Sequence, residues 1–308
     1  MSTKLVLLST KALVGAAVVG QLLAFSSQAN ATAFAYSALE VTGFSMNNQF
    51  GGFTSFEFTS QQLSATLGAN TIESPTVLTS TASSGSVDQL QLINGSMGIA
   101  ANNSYFGANR PTLASPASNY AIADSHMLNT VILSGPGGNY GTQSGAHVSN
   151  GVTGSASTGT ANSMSWTFNV SQAELDAAGG EITLGWGLTA TRQVRVETTV
   201  AGETARATLS MRVNLLQDGD TIATVSHIQT TRALAAGQSP GAAGPVNPDE
   251  NLAFGNAFVI DAVGDYTFNV EFDSSARATS VAVPEPAPFA LLGLGMIALG
   301  ALRRRKAA

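Results

Sequence analysis

The sequence predicts an all-β fold: an antiparallel β-sandwich of jelly-roll-like form, with one short helix. Three observations predict it. Runs of alternating apolar and polar residues recur along the chain, and a period of two places every second side chain on one face of a strand. Asp218-Gly219 and Gly264-Asp265 stand between such runs, where tight turns need them. Apart from a signal helix and a transmembrane helix at the two ends, a helical pattern is confined to Ser171–Gly180. Many short strands with turn signals and almost no helix fit two packed sheets.

The first strand is expected over Phe34–Val41, ending near Gly43, and the second over Phe53–Thr59, after Gly51-Gly52. From Ser60 to Ser165 the signal weakens to short apolar pieces, Leu90–Ile93 and Met127–Leu133. Ser134–Ser163 is rich in Gly, Ser, Thr and Asn, which predicts polar loop or exposed strand with small side chains. Ser165–Val170 then alternates cleanly, with Trp166, Phe168 and Val170 on one face. Ser171 followed by Glu174 is a capping-box pattern and Gly179-Gly180 a stop, so a helix of about two turns is expected between strands. Strand character resumes over Glu181–Leu188 and Gln193–Val200, with Arg192 on the face of Val194 and Val196 and Arg195 on the other. Ala207–Leu215 and Thr221–Ile228 flank Asp218-Gly219, a type I′ hairpin signal. After a Pro- and Gly-rich loop, Ala236–Asn251, a last pair of strands, Ala257–Ala262 and Tyr266–Phe272, is joined through Gly264-Asp265. Tyr266, Phe268, Val270 and Phe272 form the most apolar strand face in the chain.

Both ends read as processing segments rather than fold. Lys4 and Lys11, an apolar run from Ala12 to Phe25, and Ala29-Asn30-Ala31 follow the order of a signal peptide: basic region, helical apolar region, small-x-small cleavage site. Signal peptidase would cut after Ala31, or two residues later after Ala33. At the other end Pro284-Glu285-Pro286 precedes an uncharged run, Ala287–Leu302, and the cluster Arg303, Arg304, Arg305 and Lys306. As a helix that run spans roughly 24 Å, short of the ~30 Å hydrocarbon core of a bilayer. The basic cluster stays on the cytoplasmic side, leaving the domain outside. These three parts, in this order, resemble the PEP-CTERM sorting signal of Gram-negative bacteria. The resemblance implies that a membrane-embedded exosortase recognises Pro284, Glu285 and Pro286 and removes the transmembrane helix. The product would be released or held at the surface, usually in cells making exopolysaccharide. The chain thus divides into a signal peptide (1–31), a β-sandwich domain with polar low-complexity loops (32–280) and a sorting signal (281–308).

Removing the ends changes the charge. Of 13 basic residues, Lys4 and Lys11 lie in the signal and four in the tail, leaving 13 − 2 − 4 = 7, all arginine. Of 19 acidic residues only Glu285 lies in an end segment, so the domain carries 18 acids and a net charge near 7 − 18 = −11. Such a field disfavours nucleic acid and anionic lipid. The chain has no cysteine, which removes disulfides, thiolate catalysis and Cys-ligated metals.

Candidates for chemistry are few. His126, His147 and His227 have no metal-ligand spacing. Asp124-Ser125-His126 holds the letters of a hydrolytic triad without a nucleophile elbow. The acidic pairs Glu174/Asp176, Asp249/Glu250 and Asp218/Asp220 fall at caps and turns. Asn247, Asp249 and Glu250 group oxygens that could suit Ca²⁺, without EF-hand spacing. Trp166 and Trp186 are expected in the core, whereas Tyr105, Tyr120 and Tyr140 lie in loop-like stretches and are freer to stack on sugar rings. No catalytic residue is expected, and Ca²⁺ is the one cofactor suggested. The function expected is an exported surface or extracellular-matrix protein with a structural or adhesive role in exopolysaccharide or biofilm. The alternatives are a secreted glycan-binding module and, behind it, a polysaccharide hydrolase.

Overall fold

The computed structural model describes residues 31–47, 54–60, 63–74, 77–81, 87–96, 118–128, 139–158, 162–234 and 250–282. The predicted signal and tail helices lie outside them. The described chain is all-β: two antiparallel sheets and one short helix.

The first sheet has six strands in the order β14-β11-β1-β8-β7-β6. These are β1 (Thr32–Asn47), β6 (Val87–Gly95), β7 (Tyr120–Leu128), β8 (Asn139–Ser149), β11 (Ile182–Thr198) and β14 (Glu250–Ile260). The second has nine strands. These are β2 (Ser55–Ser60), β3 (Ser64–Leu67), β4 (Asn70–Glu73), β5 (Val77–Thr81), β9 (Thr153–Ser157), β10 (Asn162–Val170), β12 (Thr204–Gln217), β13 (Asp220–Leu234) and β15 (Gly264–Thr279). The chain passes repeatedly between the two sheets. Their inner faces share one apolar core. Phe44 of β1 stacks on Trp166 of β10 at 5.0 Å, and Tyr140 of β8 on Phe272 of β15 at 4.1 Å. Alternation drives this. Along β15, Tyr266, Phe268, Val270 and Phe272 all point inward and are buried, as their spacing predicts.

β15 is the spine of the second sheet, and the sheet forks at it. One edge pairs with β12 over Tyr266–Thr279. The other edge pairs first with β10, over Gly264–Phe272, and then with β9, over Ser275–Thr279. Between these partners the ladder is broken, and buried hydroxyls take over. Thr158 N–H donates to the Ser274 carbonyl at 3.0 Å, and Ser274 N–H to Thr158 Oγ1 at 3.1 Å. From β8 in the facing sheet, Ser144 Oγ donates to the same carbonyl at 2.9 Å, and Thr142 Oγ1 to Thr158 Oγ1 at 2.9 Å. Thr142, Ser144, Thr158 and Ser274 are all buried. Each backbone group freed by the fork finds a partner, as a buried polar group must.

The expected helix is α1 (Gln172–Ala177). Glu174 accepts from Ser171 N–H at 2.8 Å while Ser171 Oγ caps Glu174 N–H, so the capping box is complete. Gly179 and Gly180 N–H groups bond back to Asp176 and Leu175 carbonyls, a Schellman stop. At the β12–β13 turn Asp218 and Gly219 both have positive φ, 52° and 92°, the type I′ geometry that the pair signals.

Two expectations are corrected. The stretch Ser134–Ser163 contains strands β8 and β9, and residues 140–148 are buried throughout rather than looped or exposed. Small side chains allow this. Gly145 lies so close to Ile122 and Tyr36 that a Cβ there would meet them at 3.0 and 3.2 Å. The last two strands are not a hairpin: β14 pairs with β11 in the first sheet, while β15 belongs to the second. Residues 261–263 carry the chain from one layer to the other, and Gly264 and Asp265, expected as the turn, already open β15.

Candidate functional site

The sorting residues Pro284, Glu285, Pro286, Arg303, Arg304, Arg305 and Lys306 lie outside the described residues, as does Ala29. Ala31 is described. It is buried, its carbonyl accepts from Asn150 N–H at 3.1 Å, and β1 starts at the next residue. Thr32 N–H in turn donates to Thr199 Oγ1 at 2.8 Å. The sheet therefore holds the chain from Ala31 onward.

The described triad residues Asp124 and Ser125 do not converge. Asp124 and Ser125 are successive strand residues and point to opposite faces. Asp124 accepts from Gln91 and Gln143 amides, both at 3.1 Å, whereas Ser125 Oγ lies 3.4 Å from Tyr140 Oη in the core. The side chains of His126 and His227 lie outside the described set. His147 is buried, stacked on Tyr120 at 5.6 Å, with Nδ1 3.2 Å from the Ser118 carbonyl. Glu174 serves the helix cap and Asp176 accepts from Gln172 at 2.8 Å. Among the described residues no group of three or more acidic or histidine side chains could hold a metal. Of the Ca²⁺ candidates, Asn247 and Asp249 lie outside the described residues. Glu250 opens β14 opposite Arg192 in the β11 register.

Tyr120 and Tyr140 are not exposed loop residues: both lie on strands and are buried. Burial pushes both phenols well above their ordinary value, and neither offers a face to solvent. Tyr105 lies outside the described residues. Trp166 and Trp186 are core residues, as expected. Asn94 is a buried clasp: its amide donates to the Ala65 and Asn70 carbonyls at 3.0 and 2.8 Å.

Among the described residues, the outer face of β10, β12 and β15 carries a polar array. Alternation puts Ser, Thr and Asn there in cross-strand rows: Thr167 beside Thr267, Ser165 beside Asn269, Asn269 beside Asn214, Ser275 beside Thr208. Ser165 Oγ donates to Asn269 Oδ1 at 3.2 Å and Thr224 Oγ1 to Asn214 Oδ1 at 2.9 Å. Arg212 pairs with Glu271 at 3.3 Å. Beside them Asp273 is held above the usual carboxylate range by desolvation, an effect that the Arg212 charge opposes. This array offers donors and acceptors at strand spacing.

An all-β domain of two layered sheets, with a hydroxyl-rich outer face, is the unit that the described residues define. The segment C-terminal to this domain gives the class of protein. Residues 282–306 match the family model of the PEP-CTERM protein-sorting motif. The chain is a PEP-CTERM sorting domain-containing protein, and the motif implies an exosortase-targeted, extracellular destination with a membrane anchor before processing. No curated protein and no solved structure matches the chain. Among the described residues no helix is long and apolar enough to cross a membrane.

Proposed function

We propose that this chain is a non-catalytic structural or adhesive protein of the cell surface or extracellular matrix, working in exopolysaccharide or biofilm. Signal peptidase removes residues 1–31 on export. The helix over Ala287–Leu302 then holds the domain at the inner membrane until exosortase processes it. The domain is a jelly-roll-like sandwich that acts by contact and needs no cofactor. The observation that carries the reading is the sorting motif at 282–306. The polar outer face of β10, β12 and β15 supports contact with a hydroxyl-rich polymer, since its Ser, Thr and Asn side chains both donate and accept. The hold of the sheet on Thr32 supports cleavage after Ala31 rather than Ala33, because cutting later would remove the Thr32–Thr199 bonds.

Intact-mass measurement of the protein recovered outside the cell tests the delivery. The expected mass lacks residues 1–31 and the apolar tail helix. Recovery of a product that retains Arg303–Lys306 contradicts processing.

A further inference from the structure

We propose that the forked sheet carries an anion site, formed by Arg206 and Arg277 over a floor of hydroxyls, and that it takes the carboxylates of an acidic polysaccharide. The proposal rests on the matrix-contact function and names its ligand class.

Arg206 of β12 and Arg277 of β15 are direct cross-strand partners, and both are exposed. Residues opposite each other on one face have Cβ atoms roughly 5 Å apart, and like charges so placed repel. Among the described residues neither has an acidic partner. Three other arginines are engaged: Arg212 with Glu271, Arg195 with Glu197, and Arg192 through a 2.7 Å bond to Thr230. The contrast is sharp in a domain with 7 arginines, no lysine and 18 acids. Acidic residues are plentiful, yet among the described residues none is placed against this pair.

A shallow cleft of about 460 Å³ opens at the pair, lined also by Ser64, Ser155, Ser157, Thr208 and Ser275. The register explains the lining. Arg206, Arg277 and Ser155 form one cross-strand row, and Thr208, Ser275, Ser157 and Ser64 the next. The volume lies within the ~300–1,000 Å³ of small-ligand sites, and five hydroxyl side chains stand in the lining beside Ala156 and Ala276. Guanidinium forks match a carboxylate in bidentate geometry. The hydroxyl row beside them offers the donors and acceptors that a sugar ring needs. A simple inorganic anion would use the arginines and leave the row idle. A uronate uses both. With a net charge near −11 the domain repels polyanions at long range, so a local cation pair is where an acidic chain can be held.

Titration calorimetry of the full chain in neutral detergent at low salt tests this, with three probes: a short oligogalacturonate, its methyl ester and inorganic sulfate. The basic tail is common to all variants, so its attraction for anions cancels in the comparison. Wild type should bind the oligogalacturonate about tenfold or more tightly than either control probe. Arg206→Gln and Arg277→Gln should each weaken it by about tenfold, and Arg232→Gln, opposite Ala207, should leave it unchanged. Arg206→Glu turns a repelling pair into an attracting one. It should abolish binding while raising the melting temperature, which separates lost binding from lost fold. The proposal is overturned if the arginine variants bind like wild type, if the methyl ester binds equally, or if sulfate alone binds as tightly. If Arg206→Glu still co-sediments with the matrix polysaccharide as wild type does, this site fails and the matrix-contact function stands. Failure of wild type itself to co-sediment with that polysaccharide removes the function on which the site rests.

Discussion

Over the first half of β1 the side chains that point away from the core, Phe34, Tyr36 and Ala38, are all buried, whereas further along Glu40 is half-buried and Thr42 and Ser45 are exposed. On β15 the corresponding positions are Asn269, Glu271, Asp273, Ser275 and Arg277, none of them fully buried. The two strands have similar length and a central place in their sheets, yet their outward faces are opposite in character. The outward face of the first sheet is also linked internally. Arg195 lies over the Phe34 ring at 5.9 Å and forms an ion pair with Glu197, and Tyr36 donates to Gln143, which donates to Asp124. That face spends its polar groups on its own side chains. The second sheet's outer face keeps short hydroxyl and amide groups within reach of solvent. The contact surface proposed for this protein is the outer face of β10, β12 and β15.

Substitutions test whether the two faces differ as described, and the largest effect belongs on the first sheet. Phe34→Ala should destabilise the domain by about 3–5 kcal/mol in urea unfolding, as deletion of a buried aromatic does. Thr208→Ala on the second sheet should stay within ~0.5 kcal/mol. Similar costs at the two sites would erase the distinction. At the fork, Ser274→Val removes one hydrogen-bond partner from each of the Thr142, Ser144 and Thr158 hydroxyls, at a cost of about 1–3 kcal/mol in the same assay. Loss of the helix cap in Ser171→Ala should cost about 1 kcal/mol.

The smallest effect concerns the carboxyls. Asp273 and Glu40 both have folded-state values raised by burial above 3.8 and 4.5. A carboxyl raised on folding binds its proton more tightly in the folded than in the unfolded state. Its contribution to stability is therefore full below the ordinary carboxylate range and declines as pH rises through the raised folded value. Melting temperature should rise modestly on going from neutral to mildly acid pH. Asp273→Asn should be more stable than wild type at neutral pH and show a shallower pH dependence.

Local signals make part of this fold legible in the sequence. The Ser171–Glu174 box, the Gly179-Gly180 stop, the Asp218-Gly219 hairpin and the apolar face of Tyr266–Phe272 depend on neighbours in sequence, and each is found where the pattern puts it. The sorting tail is likewise a local string of residues. β7 and β8 are opaque for a physical reason. A strand buried on both faces has no apolar–polar alternation, and six of the eleven residues of β8 are Gly, Ser, Thr or Ala. Tyr120 and Tyr140 therefore resemble loop aromatics in the sequence. Pairing register is nonlocal, so nothing in sequence places Arg206 opposite Arg277 or forks the ladder at Ser274. Apolar pattern reveals inner faces, and it is silent about which outer face is sealed.

If the exported domain works by contact through the outer face of β10, β12 and β15, changing that face alone must abolish its hold on the matrix. The most direct measurement is co-sedimentation of the protein with the exopolysaccharide of its producing cells, for wild type and for Thr167→Glu combined with Asn269→Asp. Both changes lie on that face and touch no core residue. Retention of the native circular dichroism spectrum with at least about a tenfold loss of co-sedimentation is the expected outcome, since added carboxylates repel an acidic polymer and displace its hydrogen bonds. Undiminished co-sedimentation of the folded double variant would show that this face is not the one that makes the contact.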